Sequence, residues 1–321
     1  MIRSVLAVLS LALLAAPAQP LSAQTYPTRP IHLVISFPAG GGIDALARQL
    51  AQKLSEGLGQ AVVVDNRPGG NTIISAEQVA RSAPDGYTLF MPLDFTMTMN
   101  PVLYDKLPYH PVRDFAPISH VATANMAIVV HPKLPAKTLG ELIAYAKANP
   151  GKLNYGASAV LTRLMGEQVK ASAGIDMVYV PFKGTAPMIQ SLLAGDIDLA
   201  VDGVGIYLPH IKSGKLRVLA TSGPRRDTLM PDTPTLREEG YPELETRSWF
   251  ALYAPAGTSQ TIIARLNAEV ARAVADPALR ERLAVFAFEL AASTPEQLAA
   301  SLRADSAKWA PIIRASGIKV E

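Results

Sequence analysis

Three consecutive glycines, Gly40, Gly41 and Gly42, stand between an apolar run and a stretch with helical periodicity. Without Cβ atoms they leave the backbone open to close approach, and the free N–H groups of the helix start point into the same space. The chemistry on offer is capture of an anion. Oriented donors outweigh the helix field here: a hydrogen bond to a charged group contributes about 1.5–3 kcal/mol, the dipole only about 0.3–1 kcal/mol. The same glycines are also compatible with a plain tight turn from strand to helix. Asp44 has two readings as well, ordinary dipole compensation in a first helical turn or a holder of a bridging water or ligand ammonium.

The elements that must position these residues alternate. Ile31 to Phe37 is a β-branched apolar run suited to a buried parallel strand, and Ile43, Leu46, Ala47, Leu50, Leu54 and Leu58 recur at helical spacing after it. A second strand, Ala61 to Asp65, runs into the turn Asn66-Arg67-Pro68-Gly69-Gly70-Asn71, and a helix over Ile73–Arg81 follows. Tyr87 to Pro92 is a third strand, with Asp94 just beyond its C-terminal end, the edge where open α/β sheets bind ligands. The proline-rich stretch Asn100–Phe115 reads as an irregular connection. Ile118 to Val130 is a long strand that crosses into a second lobe.

That lobe repeats the plan. Thr138 caps a helix, and the strands Leu153–Gly156, Met177–Val180 and Ile197–Val201 each run into a loop: Ala157–Thr162, Pro181–Thr185 and Asp202-Gly203. Ser248 to Ala254 returns the chain to the first lobe. Helices finish it, the last with Thr294 as N-cap, Pro295 at N1 and Gln297 completing a capping box. The expectation is a discontinuous α/β protein, lobe 1 comprising residues 24–122 and 228–321 and lobe 2 residues 123–227, with a ligand cleft between them that a hinge can close.

Composition narrows the function. Residues 1–23 have Arg3, an apolar core from Val5 to Ala16 and small residues ahead of Gln24, a secretory signal peptide expected to be cleaved near Ala23. Export to the periplasm and no membrane insertion after cleavage follow. The chain has no cysteine, so disulfides and thiolate metal sites are excluded. A net charge of +3 with scattered basic residues does not indicate nucleic acid. The five histidines show no metal-ligand spacing, and Ser158 lacks the final glycine of a nucleophile elbow. No metal, cofactor or catalytic residue is expected. The rival enzyme reading is a dinucleotide site, since Gly40-x-Gly42-x-x-Ala45 opens a helix and Asp65 closes the next strand. Export away from the nicotinamide pool and the repeated loop design in the second lobe weigh against it.

The segments PAGGGIDALARQLA, VVVDNRPGG, APDGYTLF, KLNYGAS, VYVPFKG, LLAGDIDLAVDG, LPHIKSGKLRVLATSGPRR, PDTPTLREEGYP and SWFALYAPAGT, in this order, resemble the Bug family of TctC-like extracytoplasmic solute receptors. The resemblance extends from Tyr26 to Gly317. It implies a two-lobed periplasmic-binding-protein fold of type II-like architecture that binds a small carboxylate, acts as a monomer and serves either the membrane subunits of a tripartite tricarboxylate transporter or a membrane sensor. It also implies that Pro38, Ala39, Gly40, Gly41, Gly42 and Asp44 form the main cradle, with Gly69, Gly70 and Asn71 beside it. Ser158, Thr162, Lys183, Gly184 and Asp202 would close over the ligand from lobe 2. Arg163 stands where the family usually has His, and a guanidinium there could grip a carboxylate through two parallel bonds or simply be a solvated helix residue. Asp94-Phe95 also replaces residues that are often small in the family.

Overall fold

The computed structural model describes residues 26–182 and 184–318. The proposed signal peptide and Lys183 therefore lie outside the described residues. The first β-α-β-α-β series is β1 (Ile31–Ile35), α1 (Gly42–Leu58), β2 (Val62–Asn66), α2 (Ile73–Ala80) and β3 (Thr88–Met91), followed by short helices α3 (Asp94–Thr98) and α4 (Asn100–Leu103). Then come β4 (Phe115–Val130), α5 (Leu139–Ala148), β5 (Leu153–Ala157), α6 (Val160–Ala173), β6 (Met177–Pro181), α7 (Thr185–Ala194), β7 (Leu199–Gly203), α8 (Val204–Lys212) and β8 (Arg217–Thr221). The chain ends with β9 (Arg247–Pro255), α9 (Gln260–Ala275), α10 (Pro277–Ala284), β10 (Glu289–Leu290) and α11 (Pro295–Ser316).

The strands run β2-β1-β3-β9-β4-β7-β5-β6, with β8 and β10 also on β4. β4 is shared: Phe115 to Asn125 pairs with β9, and Met126 to Val130 pairs with β7 and β8. Strand direction then fixes which loops meet. β1, β2 and β3 are mutually parallel and β3 is antiparallel to β9, which is antiparallel to β4, so the first three strands point along β4 toward the second sheet. β5, β6 and β7 are parallel and β7 runs against β4, so their C-terminal ends point back. The loops after both sets of strands consequently face one another across the strand crossing.

One core joins Ile31, Leu33 and Ile35 of β1 to Leu46, Leu50 and Leu54 of α1 and to Leu266 and Val270 of α9. The heptad-like apolar spacing of α1 creates this face. Each of those leucines is fully buried, a contribution of about 1.5–3 kcal/mol apiece, and truncating one to Ala costs about 2–5 kcal/mol. A second core gathers Ile128, Tyr155, Leu164 and Leu199 of the other sheet together with Phe95 and Met99. The stripe of α11 divides between the second core and a third: Leu298 and Leu302 pack with Val34, Phe90 and Trp249 in the third, whereas Trp309 and Ile313 join the second core with Leu236 and Leu244. The segment after residue 228 thus packs on both sheets.

Several local expectations change. The stretch after β3 is helical as α3 and α4 rather than irregular, because Phe95 and Met99 sink into the second core. β4 begins at Phe115, with Pro117 inside it, and the register shifts between Pro117 and Ser119, which absorbs the missing N–H. α6 starts at Val160, so Thr162 and Arg163 lie in its first turn and not in a loop. α8 starts at Val204, so the Asp202-Gly203 turn runs straight into a helix.

Candidate functional site

The turn between β1 and α1 is bare. Pro38, Ala39, Gly40 and Gly41 are exposed, and a Cβ added at Gly40 or Gly41 would meet nothing within 4 Å. Gly40 has φ +93°, a conformation that favours glycine, so the bend itself requires the residue. The N–H groups of Gly41, Gly42, Ile43 and Asp44 have no protein acceptor among the described residues. They are the orphan donors of a helix start, left open at the mouth.

Asp44 does not present its carboxylate to this mouth. Its Oδ2 accepts from Gly40 N–H at 3.0 Å and Arg48 Nε at 2.9 Å, and its Oδ1 accepts from Asn66 Nδ2 at 2.9 Å. Arg48 Nη2 in turn donates to Asn66 Oδ1 at 3.0 Å, and Asn66 also donates to the Phe37 carbonyl at 3.0 Å. Burial opposes the charge on Asp44, but the bonds from Arg48, Gly40 and Asn66 outweigh it and hold the carboxyl at about 2. Asp44 is a brace for the bend, and the ligand-ammonium reading gives way to it.

Beside it, Gly69, Gly70, Asn71 and Thr72 all have positive φ, at 120°, 54°, 48° and 74°. A β-branched residue rarely sits there. Thr72 is held by a buried network: Thr96 Oγ1 donates to Thr72 Oγ1 at 2.8 Å, and Asn100 Nδ2 donates to the Asn71 carbonyl at 3.0 Å. Asn71 Nδ2 donates back to Asn100 Oδ1 at 3.1 Å. Gly69 and Gly70 stay exposed, and Asn71 is half-buried.

From the other sheet, Ser158, Thr185 and Asp202 come together. Ser158 Oγ donates to Asp202 Oδ2 at 2.5 Å, Thr185 Oγ1 lies 3.3 Å from the same oxygen, and Gly203 N–H donates to Asp202 Oδ1 at 2.8 Å. Burial raises the Asp202 carboxyl despite those donors. Gly184, φ +101°, caps α7 beside this cluster and leaves open space where a Cβ would stand. Arg163 is half-buried with its guanidinium 4.6 Å from the centroid of the Tyr179 ring, and its Nε is buried without a partner among the described residues. The stacking holds the guanidinium in place.

Two expected contacts turn inward. Thr162 is 3% exposed, and its hydroxyl exchanges hydrogen bonds with its own turn, accepting from Ala159 N–H at 3.2 Å and donating to the Ala159 carbonyl at 2.9 Å. The bond from Ala159 N–H is the one an N3 side chain makes in a capping box, and the N-cap Ala159 itself has no side chain to accept from the helix start. Asp94 is likewise 3% exposed, accepting from Ser248 Oγ at 3.2 Å, with burial pushing its carboxyl up to about 8. α3 carries it behind the mouth. Asp65, the acid of the dinucleotide reading, is taken by Arg67 at 2.9 Å.

Residues missed by sequence reasoning are Arg48, Asn66, Asn100 and Thr185. The i,i+4 spacing of Asp44 and Arg48 was a usable signal, but Asn66 meets Asp44 only because Ile35 and Asn66 are register partners in β1 and β2. A cavity of about 240 Å³ lies at the strand crossing, where its lining residue Phe288 also packs against Gly42, and one of about 340 Å³ lies between α4 and the end of α11.

A helix start with bare amides on one sheet, facing hydroxyl and carboxylate groups on the other across shared strands, defines a two-lobed α/β solute-binding receptor of the periplasmic-binding-protein type. The chain belongs to the tripartite tricarboxylate transporter family of receptors, TctC, whose model matches residues 46–318. It is 37% identical to protein BugT of Bordetella pertussis over 315 residues, 95% of this chain and 94% of that protein. Among solved structures it is similar to Rpa4515 of R. palustris with adipate, at 34% identity and a TM-score of 0.84 over 92% of this chain and 99% of that one. It is also similar to MatC of Rhodopseudomonas palustris with bound malate, at 29% identity and a TM-score of 0.79 over 90% of this chain and all of the other, a coverage of 100%. The receptors of this family are periplasmic, and no helix among the described residues is long and apolar enough to cross a membrane.

Proposed function

We propose that the chain captures a small carboxylate between its two lobes and presents the closed complex, without chemical change, to the membrane subunits of a tripartite tricarboxylate transporter. The observation that carries this reading is the set of unpaired N–H groups at Gly41, Gly42 and Ile43, open to the mouth and braced by Asp44. Adipate and malate in the two similar structures support the ligand class. In this reading the carboxylate rests on residues 38–44 with Gly69, Gly70 and Asn71 at its flank. Ser158, Arg163, Lys183, Gly184 and Asp202 close from the other side. Lobe 1 comprises residues 24–122 and 228–321, lobe 2 residues 123–227, and the mature monomer starts after Ala23.

A micromolar affinity corresponds to about −8 kcal/mol, which four or five charged-ligand hydrogen bonds of roughly 1.5–3 kcal/mol each supply after ordering costs. The test is a thermal-shift and calorimetric screen of the mature protein against mono-, di- and tricarboxylates, amino acids, sugars and nucleotides. Binding to the native state raises Tm. Stabilisation by one or more carboxylates is expected, and a response confined to sugars or nucleotides would overturn the reading.

A further inference from the structure

The cavity of about 240 Å³ at the strand crossing is lined by guanidinium groups from three parts of the chain: Arg225 and Arg226 after β8, Arg247 at the start of β9 and Arg280 on α10. Their compensation is incomplete. Glu289 on β10 is shared, one carboxylate oxygen accepting from Arg225 and the other from Arg247. Arg226 is taken by both oxygens of Glu238 at 3.0 Å. Asp227 accepts from the Asn125 side-chain amide at 2.9 Å and from Leu229 N–H at 2.9 Å. Arg280 forms no ion pair among the described residues, so four cations face three carboxylates even with Glu238 included.

Two polar atoms of the lining residues also lack partners among the described residues, the donor Arg247 Nε and the acceptor Asn125 Oδ1. The space is many times the roughly 10–15 Å³ that holds one water, yet below the roughly 300 Å³ at which pockets for organic ligands begin. The excess positive charge and the unpaired Arg247 donor select a small oxyanion, whereas Asn125 Oδ1 is pressed against Gly223, 2.5 Å from where a Cβ of that residue would stand. We propose that this pocket is a second anion site, distinct from the bare amides of the glycine bend, for a small inorganic oxyanion with phosphate as its probe. Because Arg225 follows a strand of the second sheet while Glu289 lies on β10 of the first and Arg280 on the helix before it, the bound ion bridges the two sheets beside the crossing.

The test is a phosphorus NMR titration of the mature chain in phosphate-free, low-salt buffer, which keeps surface electrostatics unscreened. Saturable broadening of the phosphate signal below about 10 mM is expected for the wild type, weakened at least about tenfold by Arg280→Glu and by Arg225→Gln. Arg280 is exposed, so its substitution leaves the fold intact. Gly41→Val, whose side chain has open space and touches no residue of this pocket, should leave phosphate binding unchanged, and sulfate should compete. Absence of saturable binding, equal binding in both arginine variants, or loss in Gly41→Val alone would each overturn the site. Failure of the carboxylate reading would show instead as silence toward acids with phosphate binding retained.

Discussion

The two loop sets that face each other share a strand-loop-helix plan but divide the chemistry differently. On the first sheet the side chains are spent on architecture: Asp44, Arg48 and Asn66 lock the glycine bend, while Asn100 and Thr96 hold the left-handed run Gly69 to Thr72. Only backbone amides are left for a guest. On the second sheet the groups we propose for the guest are side chains: the hydroxyls of Ser158 and Thr185, the Asp202 carboxyl and the Arg163 guanidinium. Amides recognise a carboxylate head without reading what is attached to it. Side chains can be exchanged singly, so in the proposed receptor specificity would belong to the second sheet and affinity for the charged head to the first. A substitution on the first sheet should therefore weaken all acids alike.

The largest effect is expected from Gly42→Val. A Cβ there stands 3.3 Å from the Phe286 ring, and the added bulk intrudes on the amides that would hold the guest. Losing one or two charge-assisted hydrogen bonds, about 1.5–3 kcal/mol each, should lower affinity for every bound carboxylate by about a hundredfold in calorimetry. A loss confined to one acid would break the division of labour.

Asp44→Ala comes next, because it frees Gly40, Arg48 and Asn66 at once. Affinity should fall about tenfold, and stability by about 2 kcal/mol near neutral pH. The sign follows from the lowered pKa. The folded carboxyl titrates at about 2 against 3.8 when unfolded, so its contribution is complete above about pH 4 and is lost as pH falls toward 2. Melting curves across that window should separate wild type from Asp44→Ala at pH 5 and merge them at pH 2.

Arg163→Ala probes the other side. If the guanidinium grips a second carboxylate, affinity for dicarboxylates should drop about tenfold while monocarboxylates are unaffected. Equal affinities before and after would leave Arg163 with its stacking on Tyr179 and nothing more.

The glycine bend, the Ser158 loop and Asp202 were legible because they sit where strand patterns break, and alternating periodicity marks those breaks without any tertiary knowledge. The braces were not. Asn66 reaches Asp44 through strand pairing, and Asn100 reaches Asn71 across a separation of 29 residues, so neither contact leaves a local mark. The onset of α6 was hidden for a related reason: Ala159 is a poor cap, and the hydroxyl that serves it comes from Thr162 inside the helix. α3 and α4 are too short for periodicity to show, and only burial of Phe95 and Met99 in the second core makes them helices.

That last failure of local pattern is what misplaces Asp94, and it yields the smallest expected effect. Asp94 and Asp202 both end strands and both have carboxyls raised by burial, yet Asp202 is ringed by hydroxyls at the mouth while Asp94 is turned toward Ser248 and feels the charge of Asp305. With its folded carboxyl up at about 8, Asp94 is neutral near pH 5, and the folded state binds a proton that the unfolded chain has released above about pH 4. Stability therefore declines as pH rises from 4 toward 8. Asp94→Asn removes that dependence, so it should raise Tm by a few degrees at pH 8, at about 2–4 °C per kcal/mol, and change it little at pH 4. Carboxylate affinity should stay within about twofold of wild type, since the side chain lies behind the mouth. A loss of affinity with no gain in Tm at pH 8 would return Asp94 to the presented groups and make the first sheet, too, a reader of side chains.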